Sequence, residues 1–312
     1  MSHCVAFSAS RPGHWSLVRL LDPFGLSAHP AVPPISLPPG QTVVVPGRGE
    51  LFYRDSGGTG PVLLLLHGWM ATSDLNWITT YGPLQAAGYR VLALDHRGHG
   101  RGLRAPQPFR LEDCAGDAAA LLEALDVRDA VVVGYSMGGP IASLAAYRHP
   151  ERIAGVVLGA TALHWKGLGM SVLWSGMAGL RLLLGLAPDL LWRAMVRAGG
   201  APADSTGSWI AGELSRGSSS HLAEAGRELS RYDARPWISD LPVAAAVIVT
   251  TRDAAVPPEK QRALAAALGA REFDIDADHM AATHPSGVFP RALLEAVAHV
   301  RSTSRSTRAV AA

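Results

Sequence analysis

Cysteine and lysine are nearly absent from this chain of 312 residues, which has two cysteines, Cys4 and Cys114, and two lysines, Lys166 and Lys260. Two thiols cannot build a disulfide framework or a multi-cysteine metal site, so a reducing compartment is the expectation. Charge is scarce too. Charged residues make up 17% of the chain, against about a quarter in ordinary globular domains. The 28 basic and 26 acidic residues almost cancel, with no run of one sign. That excludes the basic footprint of a nucleic-acid binder. No secretory signal is read, because residues 1–19 lack a basic segment followed by an apolar one. The longest strongly apolar stretch free of charge, Gly167 to Leu180, falls short of the ~20 residues that a spanning helix needs. A cytoplasmic protein is expected, with peripheral membrane contact left open.

What is abundant is apolar side chain, 48% of residues, which excludes wholesale disorder and implies a large buried interior. Residues 1–40 carry seven prolines without helical or strand periodicity and read as an irregular N-terminal extension. The tail, residues 302–312, is Ser, Thr, Arg and Ala without pattern and is expected to fray.

Between these ends, strand-like runs alternate with helix-like ones. Thr42 to Val45 and Leu51 to Arg54 form a short antiparallel opening pair around Pro46-Gly47-Arg48-Gly49. Continuous apolar runs follow at Val62–Leu66, Val91–Leu94, Ala130–Val133, Ala154–Leu158 and Val243–Thr250, with Glu272–Ile275 last. Such runs suit strands buried on both faces, the mark of a parallel sheet under helices. Helices are expected at Leu75–Ala87, Leu111–Leu125, Met137–Arg148, Pro258–Leu268 and Pro285–Arg301, so the class is α/β. The core would comprise residues 41–160 and 238–301. From 161 to 237 no strand is seen, while Trp165, Trp174, Trp192, Trp209 and Trp237 gather there. This interval reads as a helical insertion forming a cap over the sheet's C-terminal edge.

Gly134-Tyr135-Ser136-Met137-Gly138 fits G-x-S-x-G, a weak signal alone. Its context strengthens it: it follows a strand and opens a helix whose first turn holds Pro140. So tight a turn forces the serine into a strained backbone and demands the small neighbours Gly134 and Gly138. A serine nucleophile needs a base, and the base an orienting carboxylate. Asp253 and His279 stand downstream, each past a strand's C-terminal end, the edge where open α/β sheets place their sites. His284 is a substitute for the base. Asp276 and Asp278 are weaker choices for the acid, being on the histidine's own loop. Two donors must face a developing oxyanion. The Met137 amide comes with the turn, and the Trp69 amide is the second, in His67-Gly68-Trp69, where the glycine permits an unusual backbone. His67 is read as holding that loop rather than as the base.

With these pieces the chain resembles the α/β-hydrolase superfamily, in its branch of capped serine hydrolases that includes esterases, lipases and cofactor-free haloperoxidase-like enzymes. The resemblance rests on His67-Gly68-Trp69, Asp95-His96-Arg97-Gly98-His99-Gly100, the Gly134–Gly138 turn, Asp253 and His279, spanning about residues 41 to 300. It implies a mostly parallel eight-stranded sheet whose first strands are antiparallel, with the cap inserted after strand six. It also implies that His96 and His99 shape a site wall and are not metal ligands. Epoxide hydrolases and haloalkane dehalogenases carry aspartate where this chain has Ser136, which argues against their chemistries.

The expected activity is hydrolysis of a carboxylic ester through an acyl-enzyme, with no metal or organic cofactor. The apolar cap residues, including Met170, Met177 and Met195, favour a lipid-like small-molecule ester, although such residues are also ordinary packing. Haloperoxidase or perhydrolase chemistry and acyl transfer share the same residues. A non-catalytic ligand-binding member of the fold is the reading from another class.

Overall fold

The computed structural model describes residues 31–165 and 188–311, with Gly176, Gly179, Arg181, Leu182 and Gly185 between them. Most of the proposed N-terminal extension, together with Trp174, Met170, Met177 and most of the Gly167–Leu180 run, lies outside the described residues.

Eight strands form one sheet in the order β1-β2-β4-β3-β5-β6-β7-β8. They are β1 (Gly40–Val45), β2 (Gly49–Asp55), β3 (Val62–Leu66), β4 (Arg90–Leu94), β5 (Ala130–Tyr135), β6 (Ile153–Gly159), β7 (Ala244–Thr250) and β8 (Arg271–Ile275). The β1–β2 and β2–β4 pairs are antiparallel and every other pair is parallel. The continuous apolar runs serve both faces. Leu64, Leu66, Val132, Val156 and Val247 point into one core, while Leu63, Leu65, Val131, Val157 and Ile248 point into the other.

Helices α1 (Ser73–Trp77), α2 (Tyr81–Ala86), α3 (Leu111–Ala124) and α4 (Gly138–Arg148) alternate with β3 to β6. Helices α3 and α4 cover the first core, whereas Trp77 of α1 and Leu84 of α2 enter the second. The single helix expected over Leu75–Ala87 is two helices. Pro83 stands in the first turn of α2, where it lacks the N–H and crowds the carbonyl that a through-running helix would need.

After β6 come α5 (Pro188–Ala198), α6 (Ser205–Ser215) and α7 (Ser219–Arg231). The Asp204 side chain caps α6 and Ser218 caps α7, each accepting from backbone amides of the first turn. These helices dock on the loops leaving the C-terminal ends of β3 and β4. Ser218 N donates to Gly98 O at 2.7 Å, Trp69 Nε1 to Leu222 O at 2.7 Å and Phe109 N to Glu224 Oε2 at 2.9 Å. The described tryptophans of the interval serve packing: Trp165, Trp192 and Trp209 are buried, and Trp237 packs on Tyr147.

A buried ion network joins the insertion to the sheet. Arg54 grips Asp74 through two bonds of 2.8 and 2.6 Å. Arg101 holds Glu213 of α6 through bonds of 2.9 and 2.6 Å and reaches Asp74 at 3.3 Å. Asp74 and Glu213 are both buried. Arg101→Met would strip the main partner from a buried carboxylate, so a loss of about 3 kcal/mol in urea unfolding is expected.

The last elements are α8 (Pro258–Leu268), before β8, and α9 (Val288–Ala311). Helix α9 continues through the tail that was expected to fray. Hydroxyls of Ser302 and Thr303 bond back to His299 O, and the single Ser304 hydroxyl proton is shared between Ala154 O at 2.6 Å and Val300 O at 2.8 Å. These side chains satisfy helix carbonyls and tie the helix to β6.

Candidate active site

Strand β5 ends at Tyr135, α4 begins at Gly138, and Ser136 lies in the turn with φ of +52°. A side chain rarely adopts this backbone, so the strain expected of the motif is present. The flanking glycines are required by approach rather than by φ. A Cβ on Gly134 would stand 2.3 Å from Gly138 O, and one on Gly138 2.0 Å from Leu66 O. Ser136 N donates to Gly159 O at 2.9 Å, pinning the turn to the end of β6. The Met137 amide is among those that a helix start leaves without an intrahelical acceptor.

The loops after β7 and β8 bring Asp253 and His279 to this serine. His279 Nε2 lies 3.1 Å from Ser136 Oγ, and Nδ1 lies 2.7 Å from Asp253 Oδ2. Asp253 Oδ1 accepts from Ala255 N at 2.9 Å and Val256 N at 2.8 Å. Burial alone would raise the Asp253 carboxyl. The hydrogen bond and charge of His279, with the bonds from Val256 N–H and Thr250, outweigh burial and hold it below the usual range. An ionised carboxylate only accepts, so the His279 proton resides on Nδ1 and Nε2 is left to accept from the Ser136 hydroxyl. This arrangement can remove a proton from a serine as it attacks an electrophile.

None of the three alternatives shares this geometry. His284 Nδ1 accepts from Ser286 N, Asp276 is exposed and pairs with Arg252, and Asp278 accepts from Met280 N. A residue that sequence reasoning passed over is Tyr135, whose hydroxyl donates to His279 O at 2.9 Å and anchors the histidine's loop.

The loop after β3 runs against Ser136. Gly68 N donates to Asn76 Oδ1 at 2.9 Å, and a Cβ on Gly68 would come within 3.3 Å of Ser136 Cβ. The left-handed residue of this loop is Met70, with φ of +59°, and not Gly68. The glycine is there for the close approach. Trp69 follows it, its indole bonded to α7.

His67 takes the loop-holding position read from the sequence. Its Nδ1 meets Gly68 O at 2.8 Å, and its Nε2 accepts the His96 N–H at 3.0 Å. Its ring stands 4.3 Å from that of His96 and 5.4 Å from that of His99. Burial pushes His67 down to about 4 and His99 to about 3, and His96 well below the ordinary value, with the neighbouring imidazoles adding to the shift of the last two. Asp74 opposes the shift at His67, while Arg104 and His221 reinforce it at His99.

All three rings are therefore neutral in the folded chain, and protonation favours the unfolded one. Their contribution to stability is complete above about pH 6.5 and is lost as the pH falls towards 4. The urea midpoint is expected to fall across that window, before most carboxylates titrate. A midpoint constant from pH 6.5 to 4.5 would contradict this.

A family model described as alpha/beta hydrolase fold matches residues 61–282. The chain is 40% identical over 100 residues to epoxide hydrolase B of Mycobacterium tuberculosis, a stretch covering 31% of this chain and 28% of that protein. It is 37% identical over 103 residues to a bifunctional esterase/perhydrolase of Acinetobacter calcoaceticus, covering 33% and 37% respectively. The matched stretches thus span well under half the length of these curated relatives. Among solved structures, the enol-lactonase from Burkholderia xenovorans LB400 superimposes with a TM-score of 0.66 at 27% identity, covering 83% of this chain and all of that one.

Proposed function

The chain belongs to the α/β-hydrolase fold family, and on that premise we propose that it is a serine hydrolase cleaving carboxylic esters through an acyl-enzyme. The observation that carries the proposal is the hydrogen-bonded sequence Ser136, His279, Asp253, with Ser136 at a strained strand-to-helix turn. Ser136 Oγ attacks the ester carbonyl while His279 Nε2 takes its proton, and Asp253 stabilises the imidazolium formed. Amides of Met137 and Trp69 receive the oxyanion. His279 then returns the proton to the departing alkoxide. Water, deprotonated by the same nitrogen, attacks the acyl carbon; the bond to Ser136 Oγ breaks, His279 returns the proton to that oxygen, and the acid leaves. None of these steps calls for a metal or an organic cofactor.

The helices between β6 and β7 are the cap of this reading, and an ester with an apolar acyl or alkyl group is the preferred substrate. The second reading, perhydrolysis, is favoured by the similarity to an esterase/perhydrolase. It shares the acyl-enzyme and differs only in the acceptor, hydrogen peroxide in place of water. The epoxide hydrolase similarity does not bring that chemistry, because a serine hydroxyl stands where the attacking carboxylate would.

A fluorophosphonate probe is expected to label the wild-type protein at Ser136 and to leave Ser136→Ala unlabelled. Folded wild-type protein that refuses the probe would overturn the proposal. A panel of p-nitrophenyl esters graded by acyl length then reads the pocket. Higher kcat/KM for acetyl than for octanoyl esters would remove the apolar-chain preference.

A further inference from the structure

Resting on the reading of Ser136, His279 and Asp253 as one reacting set, we propose that Thr250 and Gln261 are positioning residues. A one-way chain of hydrogen bonds from Gln261 through Thr250 holds the Asp253 oxygen that binds His279.

Helix α8 turns Gln261, Leu264 and Ala265 inward. A glutamine on such an apolar stripe is an oddity, and here it is fully buried. Its Oε1 accepts the backbone N–H of Thr250 at 3.0 Å, and its Nε2 donates to Val256 O at 2.7 Å. A backbone N–H can only donate and a carbonyl only accept, so both bonds independently fix which end of the amide is which. The second proton of Nε2 goes to Thr250 Oγ1 at 2.8 Å. Having accepted there, the threonine hydroxyl sends its single proton to Asp253 Oδ2, also at 2.8 Å.

Every direction in the chain is thereby determined. Oδ2 receives the Thr250 hydroxyl at 2.8 Å and His279 Nδ1 at 2.7 Å, with Gln261 Nε2 reaching it directly only at 3.4 Å, while Oδ1 receives the amides of Ala255 and Val256. With both oxygens pinned, the carboxylate cannot rotate about its bond to Cβ, and the plane it offers to His279 is constant. Thr250 also draws charge from the same oxygen that the imidazole uses, so the strength of the His279–Asp253 bond is set partly by a residue that touches neither Ser136 nor substrate.

The test compares Thr250→Val, which preserves shape and removes the donor, with Thr250→Ser, which restores it. By proton NMR, the far-downfield resonance of the His279 Nδ1 proton, assigned by its disappearance in His279→Asn, is expected to move further downfield in the valine variant. It should hold its place in the serine variant. On an activated ester, Thr250→Val is expected to lose about tenfold in kcat with KM within about twofold, and Thr250→Ser to recover most of it.

A folded valine variant whose resonance and kcat match wild type would overturn the proposal and leave Thr250 a packing residue. Should that variant fail to fold, the wild-type protein answers alone. The Thr250 hydroxyl proton must exchange slowly with solvent, and rapid exchange overturns the assignment. The NMR measurements need no turnover, so a wild-type protein that resists fluorophosphonate would remove the hydrolase reading without deciding this one.

Discussion

Alanine at position 136 is expected to lower kcat on an activated ester by about 10⁴-fold or more while the chain stays folded. The hydroxyl is the only group lost. The residual rate would come from substrate binding beside the Met137 and Trp69 amides, which need no side chain. Retention of more than about one hundredth of wild-type kcat would mean that a group other than Ser136 attacks. A companion variant reads the backbone. Ser136 sits at φ of +52°, a conformation that costs a residue with a side chain about 1 to 3 kcal/mol and glycine almost nothing. Ser136→Gly should therefore be as inactive as the alanine variant yet about 1 kcal/mol more stable in urea unfolding. Instability in the glycine variant would show that the turn is not strained in the way its dihedral indicates.

The second large effect is expected from Gly138→Ala. The new methyl would meet Leu66 O at 2.0 Å and His67 O at 3.0 Å, both backbone atoms at the end of β3 that cannot turn aside. Either α4 moves away from the sheet or β3 does, and each displacement carries Ser136 with it. A loss above about 4 kcal/mol is expected, with no fluorophosphonate labelling in whatever fraction folds. Gly212→Ala, within α6, is the control. Nothing lies within 4 Å of a Cβ there, and removing a helical glycine should raise stability by about 0.5–1 kcal/mol. Equal behaviour of the two variants would contradict the close-approach argument.

Much of this molecule could be read from its residues because its central strands are buried twice. Val62–Leu66 has no polar position to alternate with, and only a strand under helices on both sides tolerates that. Ser136 and Asp253 were legible for a related reason, each following such a strand, whereas His279 follows the edge strand β8, whose burial alternates. The details that escaped depend on packing across the chain. Whether Pro83 merely begins a turn or divides a helix depends on what surrounds the 78–80 stretch. The hydroxyls of Ser302, Thr303 and Ser304 look like a loop composition until they are found bonded to their own helix and to β6. Gln261 could have been noticed as a polar residue in phase with Leu264 and Ala265, but its partner Thr250 is an ordinary strand residue until the two elements are brought together.

The indole of Trp69 has a consequence of a thermodynamic kind. It belongs to the loop beside Ser136, and its N–H is spent on the Leu222 carbonyl in α7. Any state of the chain in which α7 withdraws must either release that bond or pull the loop with it. The two elements therefore share one free energy, and linkage makes the sharing reciprocal. Occupancy of the space over Ser136 that orders the loop must steady α7 by the same amount that ordering α7 steadies the loop.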